Sequence, residues 1–186
     1  MVSILLTNGF ECAEALVTLD LLHRAGIQAD LTGLEDAQVA SANNVKVQTD
    51  RVLREVGQDA FLADLDMVIL PGGLDNVLGL RASQAAKDVV TKAAAEGKYI
   101  AAICAAPWFL TDIGLTDGKN IVCYPGMEDK MGSANVQVGS KVVVDGKLIT
   151  GQGTGAAYDF ALKLIEVLKG AEMMEQVRNE IHYGNC

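Results

Sequence analysis

Short apolar segments alternate with longer amphipathic ones along the chain, and this alternation limits the fold more than any other feature. Val2–Thr7 favours a buried strand, Asn8-Gly9 interrupts it, and Cys12–Ala25 has the pattern of a helix. Ile27–Thr32 and Met67–Leu70 are further apolar segments of strand length. Strands that alternate with helices in this way predict an α/β fold with a mostly parallel central sheet.

The second half of the chain repeats the alternation. Apolar residues recur at helical spacing over Ala82–Glu96, and Tyr99–Ile103 then predicts another strand. Residues 105–113 can continue as a helix, because Pro107 is tolerated in a first turn. A docked helix and a short charged terminal helix around Glu172–Arg178 complete the pattern. The apolar stripe of the docked helix consists of Ala157, Phe160, Ala161, Leu164, Ile165 and Leu168.

Two regions predict small β elements. Val45–Val52 has the pattern of a side hairpin or an edge strand. Near the C-terminal end, turns at Gly139 and Asp145-Gly146 predict hairpins between three short segments, Val136–Val138, Val142–Val144 and Leu148–Thr150. The sequence contains no repeat or linker. We therefore expect residues 1–186 to form a single domain, a three-layer α/β sandwich with a small β-hairpin.

The composition argues against several classes of partner. A chain of 186 residues that is 50% hydrophobic can bury one substantial core. Its net charge of -9 argues against binding to nucleic acid or to an anionic membrane surface. No apolar run is long enough to cross a bilayer, and Met1–Leu6 lacks the basic region and length of a signal peptide. We expect neither nucleic acid nor membrane as a partner.

The cysteines indicate a reducing compartment. They are widely spaced and contain no C-x-x-C motif, which predicts a cytoplasmic protein; they are Cys12, Cys104, Cys123 and Cys186. Neither His23 nor His182 has a second ligand at useful spacing, so no metal site is predicted. Both histidines are expected at the surface.

Cys104 follows the predicted strand Tyr99–Ile103 and precedes a predicted helix. At such a junction the unpaired backbone N–H groups and the helix dipole favour a thiolate. Small neighbours such as Ala105 and Ala106 allow a tight turn, although the G-x-S-x-G motif of a nucleophile elbow is absent. An inert buried cysteine explains this segment equally well. The segment alone leaves both alternatives open.

Unusual residues follow three predicted strands, in residues 8–14, 71–73 and 104–106. Sites in parallel sheets gather at the carboxyl ends of strands, so these segments converge if their strands are neighbours. Glu11 and Glu14 either compensate a helix dipole or, in the case of Glu14, face the thiol. A carboxylate beside a thiolate repels it, so Glu14 would then be protonated and donate to Cys104, and the two groups would titrate together.

The glycine-rich segment Gly151–Gly155 precedes a predicted helix and could bind an anion there. It lacks the lysine of a P-loop and the G-x-G-x-x-G spacing of a dinucleotide site. A simple turn and helix start is favoured.

Taken together and in order, four segments resemble the ThiJ/PfpI superfamily, and most of all its DJ-one branch, also called parkinsonism-associated deglycase. The segments are Asn8–Glu14, Leu70–Gly73, Ala101–Pro107, and Gly153–Gly155 with Phe160-Ala161. The resemblance covers nearly the whole chain. It implies a flavodoxin-like sandwich that forms a homodimer and needs no cofactor.

The resemblance also implies a site. Cys104 would be the reactive thiol and Glu14 its protonated partner, while Gly73 and Ala105 would donate backbone N–H groups to an oxyanion or an oxidised sulfur. Further residues near the site would be Glu11, Cys12, Gly72, Tyr124 and Pro125.

Two functions are open on this basis. One is a cofactor-free glyoxalase or deglycase that acts on methylglyoxal, another small 2-oxoaldehyde, or a glycated thiol or amine. The other is a redox sensor or chaperone whose cysteine becomes a sulfinate. Cys12 and Cys123 would be resolving thiols or ordinary buried residues, and the latter is favoured.

The chain departs from the pattern of its relatives in three places. Tyr124 stands where many relatives carry a histidine before the proline, so no Cys-His dyad is available there. Ala105 occupies the position at which the proteases and heat-shock glyoxalases of the superfamily place histidine, and neither histidine fits the His-x-Glu of glutamine amidotransferases. Asn43-Asn44 replaces an arginine of some relatives near the dimer interface. Protease activity is therefore not expected.

Overall fold

The computed structural model describes residues 1–184. In chain order its strands are β1 (Val2–Leu6), β2 (Ala29–Gly33), β3 (Gln38–Ala40), β4 (Lys46–Gln48), β5 (Arg51–Val52), β6 (Met67–Leu70), β7 (Tyr99–Ile103), β8 (Asn120–Ile121), β9 (Asn135–Val136), β10 (Val142–Asp145) and β11 (Leu148–Gly151). Seven of these described strands form the central sheet in the order β10-β11-β7-β6-β1-β2-β5. Within this described sheet, β10 and β11 pair antiparallel and the other neighbours pair in parallel, which confirms a mostly parallel sheet.

Helices cover both faces of this sheet. Within residues 1–184 they are α1 (Cys12–Arg24), α2 (Leu53–Val56), α3 (Gln58–Ala63), α4 (Leu74–Ala82), α5 (Gln84–Ala95), α6 (Pro107–Asp112), α7 (Ala157–Lys169) and α8 (Ala171–Glu180). Alternate residues of β7 enter different cores: Ile100 and Ala102 pack with α2 to α6, whereas Ala101 and Ile103 pack with α1, α7 and α8. The predicted three-layer, flavodoxin-like sandwich is confirmed.

The predicted β segments divide between separate sheets. Within Val45–Val52, β4 forms an antiparallel hairpin with β3, while β5 is the edge strand beside β2. The turn at Asp145-Gly146 joins β10 to β11 as predicted. The hairpin predicted at Gly139 is wrong, because β9 pairs in parallel with β8 and β10 joins the central sheet. Alternation identifies a strand but does not identify its partner.

The helical prediction for Ala82–Glu96 begins too early. Ser83 separates two helices, and its hydroxyl accepts the Ala86 N–H at 3.2 Å as the N-cap of α5. Ala82 ends α4, a helix that the sequence did not predict because it presents only a weak apolar stripe. The short helices α2 and α3 were not predicted either. No helix among residues 1–184 combines the length and apolar character needed to cross a bilayer.

The strand order brings the three candidate segments together. β1 lies between β2 and β6, and β6 lies beside β7, all in parallel. Residues 8–14, 71–73 and 104–106 therefore leave the sheet at the same edge. This register assembles the candidate site from segments that are far apart in sequence.

Candidate active site

Cys104 occupies a strained turn between β7 and α6. Its φ of 66° lies in the left-handed region, which costs an L-residue with a side chain roughly 1–2 kcal/mol. Backbone hydrogen bonds hold it on both sides: Cys104 N–H donates to the Gly151 carbonyl at 3.0 Å, and Tyr124 N–H donates to the Cys104 carbonyl at 2.8 Å. Pro107 lies in the first turn of α6 as predicted, but the helix begins at Pro107 and not at Ala105. The fold thus enforces an uncommon conformation at one partly exposed cysteine.

Glu14 is completely buried at the start of α1, yet both carboxyl oxygens have partners. Oε2 accepts the Gly72 N–H at 2.7 Å, and Oε1 accepts the Thr154 hydroxyl at 2.9 Å. Burial raises the pKa of Glu14. The hydrogen bonds from Gly72, Thr154 and Cys104 oppose this shift, while the nearby Glu11 charge adds to it.

The Cys104 thiol lies within hydrogen-bonding reach of the Glu14 carboxyl. Burial, followed by the charge and hydrogen bond of Glu14, raises the pKa of Cys104 to about 12. The backbone N–H groups of Ala105 and Gly73 point at the sulfur and act in the opposite direction. Both pKa values are raised because this buried space disfavours negative charge, and the two groups titrate as a coupled pair.

Two glycines allow these segments to approach closely. A Cβ at Gly72 would lie 2.6 Å from Cys104 Cβ and 2.7 Å from Glu14 Oε2. Gly73 has a φ of +87°, and a Cβ there would lie 2.1 Å from the Gly9 carbonyl oxygen. The end of β6 therefore fits between the other two segments only because it carries no side chains at these positions.

The other predicted residues lie at the start of α1 or in the loop that carries Tyr124. Glu11 is the N-cap of α1 and Cys12 is its first residue; both are partly buried. Tyr124 and Pro125 are exposed. A Cβ at Gly153 would lie 3.3 Å from the Tyr124 ring and 4.0 Å from Cys104 Sγ, so this ring borders the approach to the sulfur.

The remaining cysteines and histidines are not part of the Cys104–Glu14 pair. Cys123 is buried in the core, and burial followed by the charges of Glu128 and Asp129 raises its pKa to about 11. Cys186 lies outside the described residues. His23 and His182 are exposed, as predicted.

Thr154 is a site residue that sequence analysis missed. It begins a 3₁₀ turn, Thr154–Ala156, between β11 and α7, which lies in the segment compared above with phosphate sites. The available signal was a hydroxyl residue in a glycine-rich turn after a predicted strand. Over residues 1–184, no group of three or more His, Cys, Asp or Glu side chains is placed to hold a metal ion.

Comparisons with known proteins match this architecture over nearly its full length. Protein dj-1beta of Drosophila melanogaster is 38% identical over 176 residues, which are 94% of this chain and 92% of that protein. Its crystal structure has a TM-score of 0.90 and 34% identity, and the match covers 97% of this chain and 96% of that chain. The structure of Toxoplasma gondii DJ-1, oxidized, has a TM-score of 0.89 and 31% identity, and covers 98% of both chains.

A relative with a named activity also matches. The glutathione-independent glyoxalase DJR-1.2 of Caenorhabditis elegans is 31% identical over 160 residues, which are 86% of this chain and 83% of that protein. A model of the DJ-1/PfpI family matches residues 1–167, which include the three converging strand ends and the Thr154 turn. Because sequence, fold and the family model agree over most of its length, this chain belongs to the DJ-1/PfpI family.

Proposed function

We propose that this protein is a cysteine-dependent carbonyl-stress enzyme, a cofactor-free glyoxalase or deglycase that acts on methylglyoxal, related small 2-oxoaldehydes or their thiol and amine adducts. The observation that supports this proposal is the contact between the buried Glu14 carboxyl and the Cys104 thiol. The backbone N–H groups of Gly73 and Ala105 act on the same sulfur. The glyoxalase name of the Caenorhabditis elegans relative supports this choice.

The reaction starts from the state of the pair in which Glu14 holds the proton and Cys104 is the thiolate. The sulfur attacks the aldehyde carbon, C1, and a C–S bond forms while the C=O π bond breaks. The new oxyanion lies one bond from the carbon attached to sulfur, within the region that the Gly73 and Ala105 N–H groups face. Glu14 then protonates this oxygen, which gives a hemithioacetal.

Glu14, now a carboxylate, removes the hydrogen of C1 and returns it to C2 through an enediol, while the C1 hydroxyl proton moves to the C2 oxygen. C1 is oxidised and C2 is reduced within one molecule, so no external redox partner is required. The product is a 2-hydroxyacyl thioester on Cys104. Water hydrolyses this thioester, releases the 2-hydroxy acid and restores the proton of the pair.

The charges around the sulfur favour a neutral electrophile. Glu14 is the charged group that acts on Cys104, and Glu11 is the further charged group that acts on Glu14. Both are acidic, so an anionic substrate would be repelled. A small uncharged 2-oxoaldehyde meets this condition.

The test is consumption of methylglyoxal by purified protein without glutathione. Wild type should form lactate, and Cys104→Ser and Glu14→Gln should each lose at least about 10²-fold in kcat/KM. Cys123→Ser is the matched control, because it removes a buried thiol outside the site, and it should retain activity. Equal rates for wild type and Cys104→Ser would exclude this function.

A second function is supported by the same donors. We propose as the alternative a redox sensor or chaperone in which Cys104 is oxidised to a sulfinate, whose oxygens accept hydrogen bonds from Gly73, Ala105 and the Glu14 proton. Two molecules of peroxide would supply the two oxygens and leave as water. The relative from Toxoplasma gondii, solved as an oxidized protein, favours this alternative.

Mild peroxide treatment followed by peptide mass measurement tests the alternative. Two oxygens should be added at Cys104, and Cys12 and Cys123 should remain thiols. Glu14→Leu should abolish this selectivity, because the sulfinate loses its proton donor. Oxidation spread equally over the three cysteines would contradict it.

The homodimer and the cytoplasmic location stay predictions. Sedimentation velocity measures whether the protein is a dimer.

A further inference from the structure

Thr154 joins an exposed turn to the buried carboxyl of the site. The residue itself is exposed, whereas Glu14 is completely buried. Its hydroxyl donates to Glu14 Oε1 at 2.9 Å, while Oε2 accepts the Gly72 N–H at 2.7 Å beside the sulfur. The hydrogen-bond donors of the site thus fall into two groups, one on the carboxyl and one on the sulfur.

The two groups of donors compete for one negative charge. Thr154 and Gly72 stabilise a carboxylate with a neutral thiol, whereas Gly73 and Ala105 stabilise a thiolate with a protonated carboxyl. A hydrogen bond to an ionised acceptor is roughly twice as strong as one to a neutral acceptor. Each donor therefore shifts the balance toward the group that it contacts.

We infer that Thr154 is a positioning residue that holds part of the negative charge of the Cys104–Glu14 pair on Glu14 and so restrains the reactivity of the sulfur. Three of the four donors are backbone N–H groups, which the fold fixes. Thr154 contributes the one side-chain donor, from a turn at the surface. The glycine-rich segment Gly151–Gly155 thereby acquires a role in the site that needs no bound phosphate.

Other groups facing the pair do not replace this hydroxyl. Glu11 on α1 is the remaining charged group that acts on Glu14 within residues 1–184, and it carries no donor for Oε1. Thr18, also on α1, donates to the backbone carbonyl of Glu14 at 2.6 Å and does not bond the carboxyl. Thr18 therefore provides a matched control for the loss of a threonine hydroxyl beside Glu14.

The experiment measures Cys104 alkylation by iodoacetamide as a function of pH, with peptide mass spectrometry to assign the modified residue. Thr154→Val keeps the shape of the side chain and removes the hydroxyl. Above the midpoint its rate should rise about five- to tenfold, because the charge moves to sulfur. The midpoint should also move to higher pH, because the anion has lost one donor.

Thr154→Ser should behave as wild type, since it restores the hydroxyl, and Thr18→Val should leave the profile unchanged. A Thr154→Val profile that is identical to wild type, or a slower one in a protein with unchanged thermal unfolding, would overturn the inference. The inference rests on the site of the proposed function, but alkylation requires no turnover. A wild type without glyoxalase activity would thus count against that function and leave this comparison intact.

Discussion

At the scale of single residues, the site depends on positions where a side chain is missing. Gly72 has no positive φ, so its backbone would accept alanine, but the space beside it is filled by Cys104 and Glu14. Gly73 has a positive φ, and a Cβ at this position would also collide with the backbone of the loop that follows β1. The distance between thiol and carboxyl therefore depends on two residues without side chains, whose backbone N–H groups also act on the pair.

Gly72→Ala should disrupt the site while the protein still folds. The added Cβ would lie within 3.0 Å of Cys104 Sγ and closer still to Glu14 Oε2, so one of the two groups must move. We expect methylglyoxal turnover to fall at least about tenfold and the free energy of unfolding to fall by about 1–3 kcal/mol. Enzyme assays and urea denaturation measure the two effects.

Gly155→Ala is the matched control, since nothing lies within 4 Å of a Cβ at that position. It should change the free energy of unfolding by no more than about 0.5 kcal/mol, and methylglyoxal turnover by no more than the corresponding factor. Full activity in Gly72→Ala would mean that the close approach of the three segments is unnecessary for function.

At the scale of elements, α4 fixes two strand ends relative to each other. Its buried Asn76 accepts the Thr7 N–H at 2.7 Å and donates to the Pro71 carbonyl at 2.9 Å. Thr7 follows β1, and Pro71 follows β6. One amide side chain thus satisfies backbone groups at both ends, which otherwise would lie buried without partners.

Asn76→Ala should therefore destabilise the protein by about 2–4 kcal/mol, because it leaves the backbone donor of Thr7 and two carbonyls without this partner. Chemical denaturation monitored by circular dichroism gives the change. Leu78→Ala, at an exposed position of the same helix, should cost less than about 0.5 kcal/mol. Similar losses in the two variants would show that the amide makes no special contribution.

At the scale of the whole molecule, the buried pair links folding to pH. Burial raises the pKa of Glu14 above its ordinary 4.5, and the pKa of Cys104 rises from 9.0 to about 12. Between the ordinary and the raised values the folded protein binds more protons than the unfolded chain. The free energy of unfolding contributed by the pair is therefore present at low pH and is lost as pH rises through each interval.

Wild type should lose stability above pH 9 more steeply than Cys104→Ser, by at most about 1.4 kcal/mol per pH unit. Urea denaturation from about pH 7 to pH 10.5 measures the slope. Cys123→Ser should reduce the loss of unfolding free energy with pH by less than Cys104→Ser does, because the pKa of Cys123 is raised only to about 11. Parallel curves for wild type and Cys104→Ser would contradict this linkage.

The sequence by itself determined the strands of the central sheet, the principal helices and the residues at the strand ends, but it did not predict β3. Apolar periodicity is a local property, so Val2–Leu6, Met67–Leu70 and Tyr99–Ile103 were predicted within a residue of their bounds. The resemblance to relatives then selected Cys104, Glu14 and Gly73 among many polar and glycine residues. The sequence predicted the wrong partner for β9 and missed α4, because strand pairing and docking depend on distant residues.

Only the tertiary structure decided how these residues act on one another. The order β7-β6-β1 brings the thiol, the glycines and the carboxyl to one edge, and burial then raises the pKa of both titratable groups. Thr154 joins them from a position 140 residues along the chain from Glu14. The local pattern around Thr154 predicts a turn but does not identify Glu14 as the partner, since that hydrogen bond depends on how the turn after β11 lies against α1.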